Sequence, residues 1–253
     1  MRPVAVHYQH DGVPCSRSVG GVVLHQVLEV PALPVRLLAD CEREIVRMGL
    51  EAGDVEPLSL VRARVRWPGY AQSVQAVSGW MESLGLADVL VASDLALMAC
   101  RGARYHHDAG HYGSKAFCNL FLSDDKGLDL HFPKAGLRIP ITRGLAVIFD
   151  TAQPHAVIRR NATTFDANSF APGQDCTQLF LTWELPIDNA LLGGALGIDL
   201  DCDRPGASLR NAERKQEQVQ EQELPDQEQQ GYVQVSGKPV RLCPQTGQWL
   251  PAV

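Results

Sequence analysis

Three of the chain's eight histidines crowd into one stretch, RYHHDAGH, which holds His106, His107 and His111 with Asp108 among them. Imidazole nitrogen and carboxylate oxygen are side-chain donors that suit borderline divalent metals. In an extended segment alternate side chains share a face, so His106 and Asp108 point one way and His107 the other. The pair offers one imidazole and one carboxylate to a common centre. A third ligand must come from a distant strand, and QPHAV supplies His155, 47 residues beyond Asp108 and just after the apolar run LAVIFD. Two imidazoles and one carboxylate cover one face of an octahedron and leave three positions open. That arrangement suits a non-haem Fe(II) that must take a cosubstrate and dioxygen together. A lone His-x-Asp recurs by chance, so the weight rests on the elements that would bring His106, Asp108 and His155 together.

Those elements read as strands. Between residues 96 and 186 short apolar runs alternate with Gly, Pro and Asp turns: LALMAC, KAFCNLFL, LDLHF, LRIPI, LAVIFD, HAVIRR and QLFLTWEL. No helix-length stretch separates them, so their spacing predicts an all-β barrel or sandwich and not βαβ units. SDDKG and PKAG are suited to the turns. Upstream, Pro34 opens a helical pattern with Leu37, Leu38, Cys41, Ile45, Val46 and Leu50 on one face, which Gly53 is placed to close. A second helix is expected over 71–86, with Trp67 and Trp80 packing the helices against the barrel. The expected class is mainly β with flanking helices (α+β), residues 1–95 forming a helical or mixed support of the same domain. Residues 191–230 read as a Gln/Glu-rich linker or arm, since ERKQEQVQEQELPDQEQQ has too little apolar surface to bury. Residues 231–253 read as a small hairpin that either folds back or docks on a second copy as a homodimer contact.

The progression Gly127-Leu128-Asp129-Leu130-His131-Phe132, then Gly144-Leu145-Ala146-Val147-Ile148-Phe149, then His155-Ala156-Val157 closely resembles the 2-oxoglutarate- and Fe(II)-dependent oxygenase superfamily over residues 96–186. The resemblance implies a double-stranded β-helix (jelly-roll or cupin-like) core, with His106, Asp108 and His155 as both metal ligands and catalytic centre. It implies Fe(II) as cofactor, 2-oxoglutarate as cosubstrate and dioxygen as reactant. The product would be a hydroxylated C–H bond on a small molecule or a peptidyl side chain. Relatives that halogenate replace the carboxylate with a small residue, so Asp108 favours hydroxylation. Members of the superfamily commonly bind the far carboxylate of 2-oxoglutarate with an Arg on the strand after the distal His. Here that strand, TQLFLTWEL, has no cation, and Gln178 stands near the expected place. The expected substitutes are Arg159, on the His155–Val157–Arg159 face, or Lys115, with Asn119 on its face as a donor to the keto acid.

Composition bounds the rest. The chain has 253 residues, 45% apolar and 21% charged, with a formal charge of −6. This is enough for one large domain with a substantial core, and it disfavours tight nonspecific nucleic-acid binding. No run approaches the roughly 18 apolar residues of a membrane span, and the N-terminal residues show no apolar signal core, so a cytoplasmic protein is expected. Seven scattered cysteines without a CxxC pair fit reduced thiols, several of them core-filling. Two other readings stand beside the oxygenase: a metal-binding cupin-like barrel without 2-oxoglutarate chemistry, and a scaffold or interaction protein built on a degenerate barrel.

Overall fold

The computed structural model describes residues 4–10, 13–171, 173–202, 232–235 and 238–252. In chain order they form β1 (Val4–His10), β2 (Val13–Ser18), β3 (Leu24–Val27), α1 (Val35–Met48), β4 (Val55–Leu58), α2 (Leu60–Val65), α3 (Tyr70–Ser83), α4 (Ala87–Val91), β5 (Asp94–Arg101), β6 (Ala103–His106) and α5 (Ala109–Tyr112). There follow β7 (Lys115–Phe121), β8 (Leu128–Phe132), β9 (Leu137–Pro140), β10 (Leu145–Asp150), β11 (His155–Arg159), β12 (Thr177–Pro186), α6 (Ala190–Leu196), β13 (Leu200–Cys202), β14 (Tyr232–Val235), β15 (Lys238–Leu242) and β16 (Trp249–Pro251). Every apolar run named from the sequence forms a strand.

Two antiparallel sheets make the centre. The larger has the order β3-β10-β7-β12-β5-β4, and the smaller β6-β11-β8-β9. Period-2 alternation sends each strand's side chains into two different cores. On β7, Ala116, Cys118 and Leu120 join a cluster with Val77, Trp80 and Met81 of α3 and with Leu37 and Cys41 of α1. The intervening Phe117 and Phe121 face the smaller sheet and pack in a second cluster with Leu130, Phe149, Val157 and Phe180. On β12, Leu179, Leu181, Trp183 and Leu185 go to the helices, while Phe180 goes between the sheets. The helices therefore seal the outer face of the larger sheet, and its inner face and the smaller sheet enclose the interior.

A third sheet, β13-β2-β1-β14-β15-β16, draws together the two ends of the described chain. The hairpin is docked in cis: β14 pairs with β1, with Val235 opposite Val4. Beyond β15, Pro244 O accepts a hydrogen bond from Tyr105 N on the open edge of β6. Of the arm expected over 191–230, residues 191–202 instead carry most of α6 and all of β13, and 203–230 lie outside the described residues.

Three further sequence expectations are corrected. Helix α1 ends at Gly49 and not Gly53. Gly49 takes φ +71° and closes the helix by donating to Ile45 O and Val46 O, so the first glycine able to adopt the left-handed conformation stops it. His106 and Asp108 do not lie on one continuous strand, because β6 stops at His106 and Asp108 begins the turn into α5. Nor are all seven thiols reduced: Cys15 and Cys202 form a disulfide across the paired strands β2 and β13. The remaining five are free, and four of these are buried. Among the described residues no helix is long and apolar enough to cross a membrane.

Candidate metal centre

His155 opens β11 and sits directly opposite His106, the last residue of β6, in the antiparallel register. Directly opposed strand residues carry their side chains on the same side of the sheet. The two imidazoles accordingly lie with ring centroids 4.3 Å apart. Asp108 reaches them from the turn after β6. Its Oδ1 is 3.8 Å from His106 Nε2, and its Oδ2 is 3.7 Å from His155 Nε2. One ligand atom from each of the three lies within 4.8 Å of the other two.

The tautomers are set by carbonyls. His106 Nδ1 is 2.7 Å from Arg104 O, and His155 Nδ1 is 2.9 Å from Gln153 O. A carbonyl only accepts, so each Nδ1 carries the hydrogen and each Nε2 keeps its lone pair toward the centre. Burial holds the His155 imidazole well below the ordinary histidine range, and the neighbouring His106 pushes the same way, so it stays neutral. Burial raises the Asp108 carboxyl, with His106 and His111 pulling it back. Two imidazoles with Nε2 facing the centre and a desolvated carboxylate with no hydrogen-bond donor among the described residues form a donor set that fits a divalent cation.

What holds the turn and β11 in place was not legible in the sequence. Arg17, on β2, forms a fully buried bidentate pair with Asp150 at the end of β10, at 2.7 and 2.8 Å. The same carboxylate accepts from Gly20 N at 2.7 Å and from Ala152 N at 2.8 Å, so both oxygens are fully used. Arg17 Nε donates to Gly113 O at 2.6 Å, just past α5. Thr151, next along, accepts from Asp108 N through its backbone carbonyl at 2.7 Å. One clamp therefore fixes both the segment before His155 and the segment carrying Asp108.

The centre opens into a cavity of about 370 Å³ between the two sheets. Phe117, Phe121, Leu130, Val157 and Phe180 form much of its wall, which Tyr112 and Glu184 also line. Asn119 lines it and accepts from the Thr182 hydroxyl through Oδ1, which leaves its amide N–H₂ as a donor. No Lys or Arg is among the described residues lining it. Lys115 lines an adjacent pocket with Tyr8 and Asp188. Arg159 turns away to a more open pocket, donating to Ser169 O at 2.6 and 2.9 Å and lying 5.2 Å from the Phe170 ring centre. The strand face shared by His155, Val157 and Arg159 thus leaves the cavity before it reaches Arg159.

Gln178 is fully buried, and neither side-chain atom, Nε2 nor Oε1, has a hydrogen-bond partner among the described residues. It faces Cys100 across β12 and β5, and Cys100 lines the cavity. An orphaned buried amide beside a cavity floor fits a hydrogen-bonding ligand group reaching that depth. Of the other histidines, His107 packs tilted against Trp249 with ring centres 5.1 Å apart, its pKa lowered to about 4 mainly by burial. His131 is bonded through Nδ1 to the Tyr105 hydroxyl. Neither lines the cavity.

No protein-family model and no curated protein sequence matches the chain. Among solved structures it is similar to the viral collagen prolyl hydroxylase vCPH from Paramecium Bursaria Chlorella virus-1 in complex with 2OG, at 10% identity and a TM-score of 0.36, covering 64% of this chain and 96% of that one. It is also similar to the non-heme alpha ketoglutarate dependent carbocyclase SnoK from nogalamycin biosynthesis, at 12% identity and a TM-score of 0.37, covering 66% and 79%. The epimerase SnoN of the same biosynthesis follows, at 13% identity and a TM-score of 0.34, covering 75% and 86%. The functional reading rests on the geometry of the site.

Proposed function

We propose that the protein is a non-haem Fe(II)- and 2-oxoglutarate-dependent oxygenase that hydroxylates a C–H bond of a small molecule or a protein side chain. The observation that carries this reading is the facing of His106 Nε2, His155 Nε2 and the Asp108 carboxylate, with both Nδ1 hydrogens taken up by backbone carbonyls. The interleaved order of strands β5 to β12 in two sheets supports reading the core as a double-stranded β-helix. His106, Asp108 and His155 would hold the iron. Asn119 and the orphaned Gln178 would donate to the keto acid. Gln178, Lys115 and Arg159 all stand outside the lining, and of the three Gln178 is the one that is fully buried with both side-chain atoms unpaired among the described residues.

With iron and cosubstrate bound, the site supplies activation of dioxygen. The chain's own contribution is positional. The Arg17–Asp150 clamp keeps the three ligands converged, and Phe117, Phe121 and Phe180 keep water from the space beside them. Addition of Fe(II) and 2-oxoglutarate under anaerobic conditions is expected to give a weak visible charge-transfer band that is lost in Asp108→Ala. Iron bound without such a band would overturn the assignment. It would favour a metal-binding barrel without keto-acid chemistry, the reading that the cation-free lining supports.

A further inference from the structure

The cavity lining is asymmetric in charge: among the described residues it holds the carboxylates of Asp108 and Glu184 and no Lys or Arg. Glu184 lines it from β12 and makes no hydrogen bond or ion pair among the described residues. Asp94 lies directly opposite on β5, and Phe117 directly opposite on β7. Tyr112 stands edge-on to Phe117, with ring centres 4.9 Å apart. Lys115 is the nearest cation, diagonal to Glu184 in the register, but its side chain lines the neighbouring pocket beside Asp188. The metal would compensate Asp108, whereas Glu184, beside the Tyr112–Phe117 ring pair, has only the field of Lys115 against its burial and the like charge of Asp94. A carboxylate beside aromatic faces attracts a cation twice, by charge and through the ring quadrupole. An anion there would meet two like charges.

We propose that the substrate admitted beside the metal centre carries a positively charged nitrogen, an ammonium or guanidinium, which Glu184 binds against Tyr112 and Phe117. This names the substrate class of the oxygenase reading and rests on it for the reaction, but the binding preference is measurable without iron. Three probes of matched length, hexylammonium, 1-hexanol and hexanoate, would be titrated into the metal-free Asp108→Asn chain, in which Glu184 is the remaining carboxylate among the described lining residues, and followed by ligand-observed NMR, then into the anaerobic Fe(II)–2-oxoglutarate form of the natural chain. Hexylammonium is expected to bind about tenfold tighter than hexanol, the size of one partly desolvated charge-assisted contact, with hexanoate weakest. Glu184→Gln should bring hexylammonium to the hexanol level while leaving hexanol affinity unchanged, which separates lost recognition from lost fold. Asp94→Asn should retain most of the preference. Equal or tighter binding of hexanoate, or an ammonium preference that survives Glu184→Gln or vanishes in Asp94→Asn, would overturn the proposal. An ammonium preference in a protein that forms no charge-transfer band would support it while removing the oxygenase reading.

Discussion

The two ends of the cavity are built differently. At the metal end each ligand is fixed before any metal arrives: both imidazoles by backbone carbonyls, the turn carrying Asp108 by Thr151 O, and the whole by a buried Arg17–Asp150 pair whose carboxylate accepts four hydrogen bonds. Beside Cys100 at the cavity's other wall, the buried Gln178 carries an amide with neither atom bonded among the described residues. The difference teaches where the fold has spent its rigidity. Convergent metal ligands need a preformed geometry, because misplaced donors lose affinity steeply. An unpaired amide leaves buried hydrogen-bonding capacity that a ligand can complete.

The largest expected effect breaks the metal end directly. Asp108→Ala or His155→Ala should weaken Fe(II) binding by more than about 100-fold, since even the outer partners of metal ligands are worth about 10–100-fold. A titration followed by intrinsic fluorescence or calorimetry reads this. Next, Arg17→Met strands the buried Asp150 carboxylate and should cost about 3–5 kcal/mol in urea unfolding, with metal affinity falling alongside. A loss below 1 kcal/mol would show that the clamp does not position the turn. Gln178→Leu sharpens the contrast, because it should move two readouts in opposite directions. The ligand-free protein gains about 1 kcal/mol from removal of an unpaired amide, while 2-oxoglutarate binding weakens about tenfold.

The smallest effect concerns acid. Burial holds His107 near a pKa of about 4 in the folded chain, below the unfolded histidine value of 6.5. Above pH 6.5 both states are neutral there and nothing is lost. As the pH falls below that, the unfolded chain takes up the proton first and stability drops, by about 1 kcal/mol between pH 6.5 and 5.5. His155, shifted the same way, adds to the slope. His107→Phe should remove its share in denaturant titrations repeated across that window.

Much of the site was legible because its signals are local. Strands declared themselves as short apolar runs between turn residues, and the face that Phe117, Asn119 and Phe121 share on β7 follows from period 2. His106, Asp108 and His155 could be named from residue type and spacing. What the sequence hid depends on long-range pairing. Arg17 meets Asp150 across 133 positions, and Cys15 meets Cys202 across 187. The C-terminal hairpin caps the edge of β6 through Pro244, a contact with no signature in either segment. Arg159 lies beyond the lining for a related reason: strand alternation gives the side of a sheet but not where a cavity ends along it. Gln178 was visible only as a departure from a pattern, and its orphaned amide is what gives that departure chemical meaning.

The most direct test is anomalous diffraction at the iron edge from crystals grown anaerobically with Fe(II). The predicted result is one strong peak within bonding distance of the two Nε2 atoms, on residues 106 and 155, and of a carboxylate oxygen of residue 108. Iron bound elsewhere, or a centre in which either imidazole swings away from the peak, would contradict it.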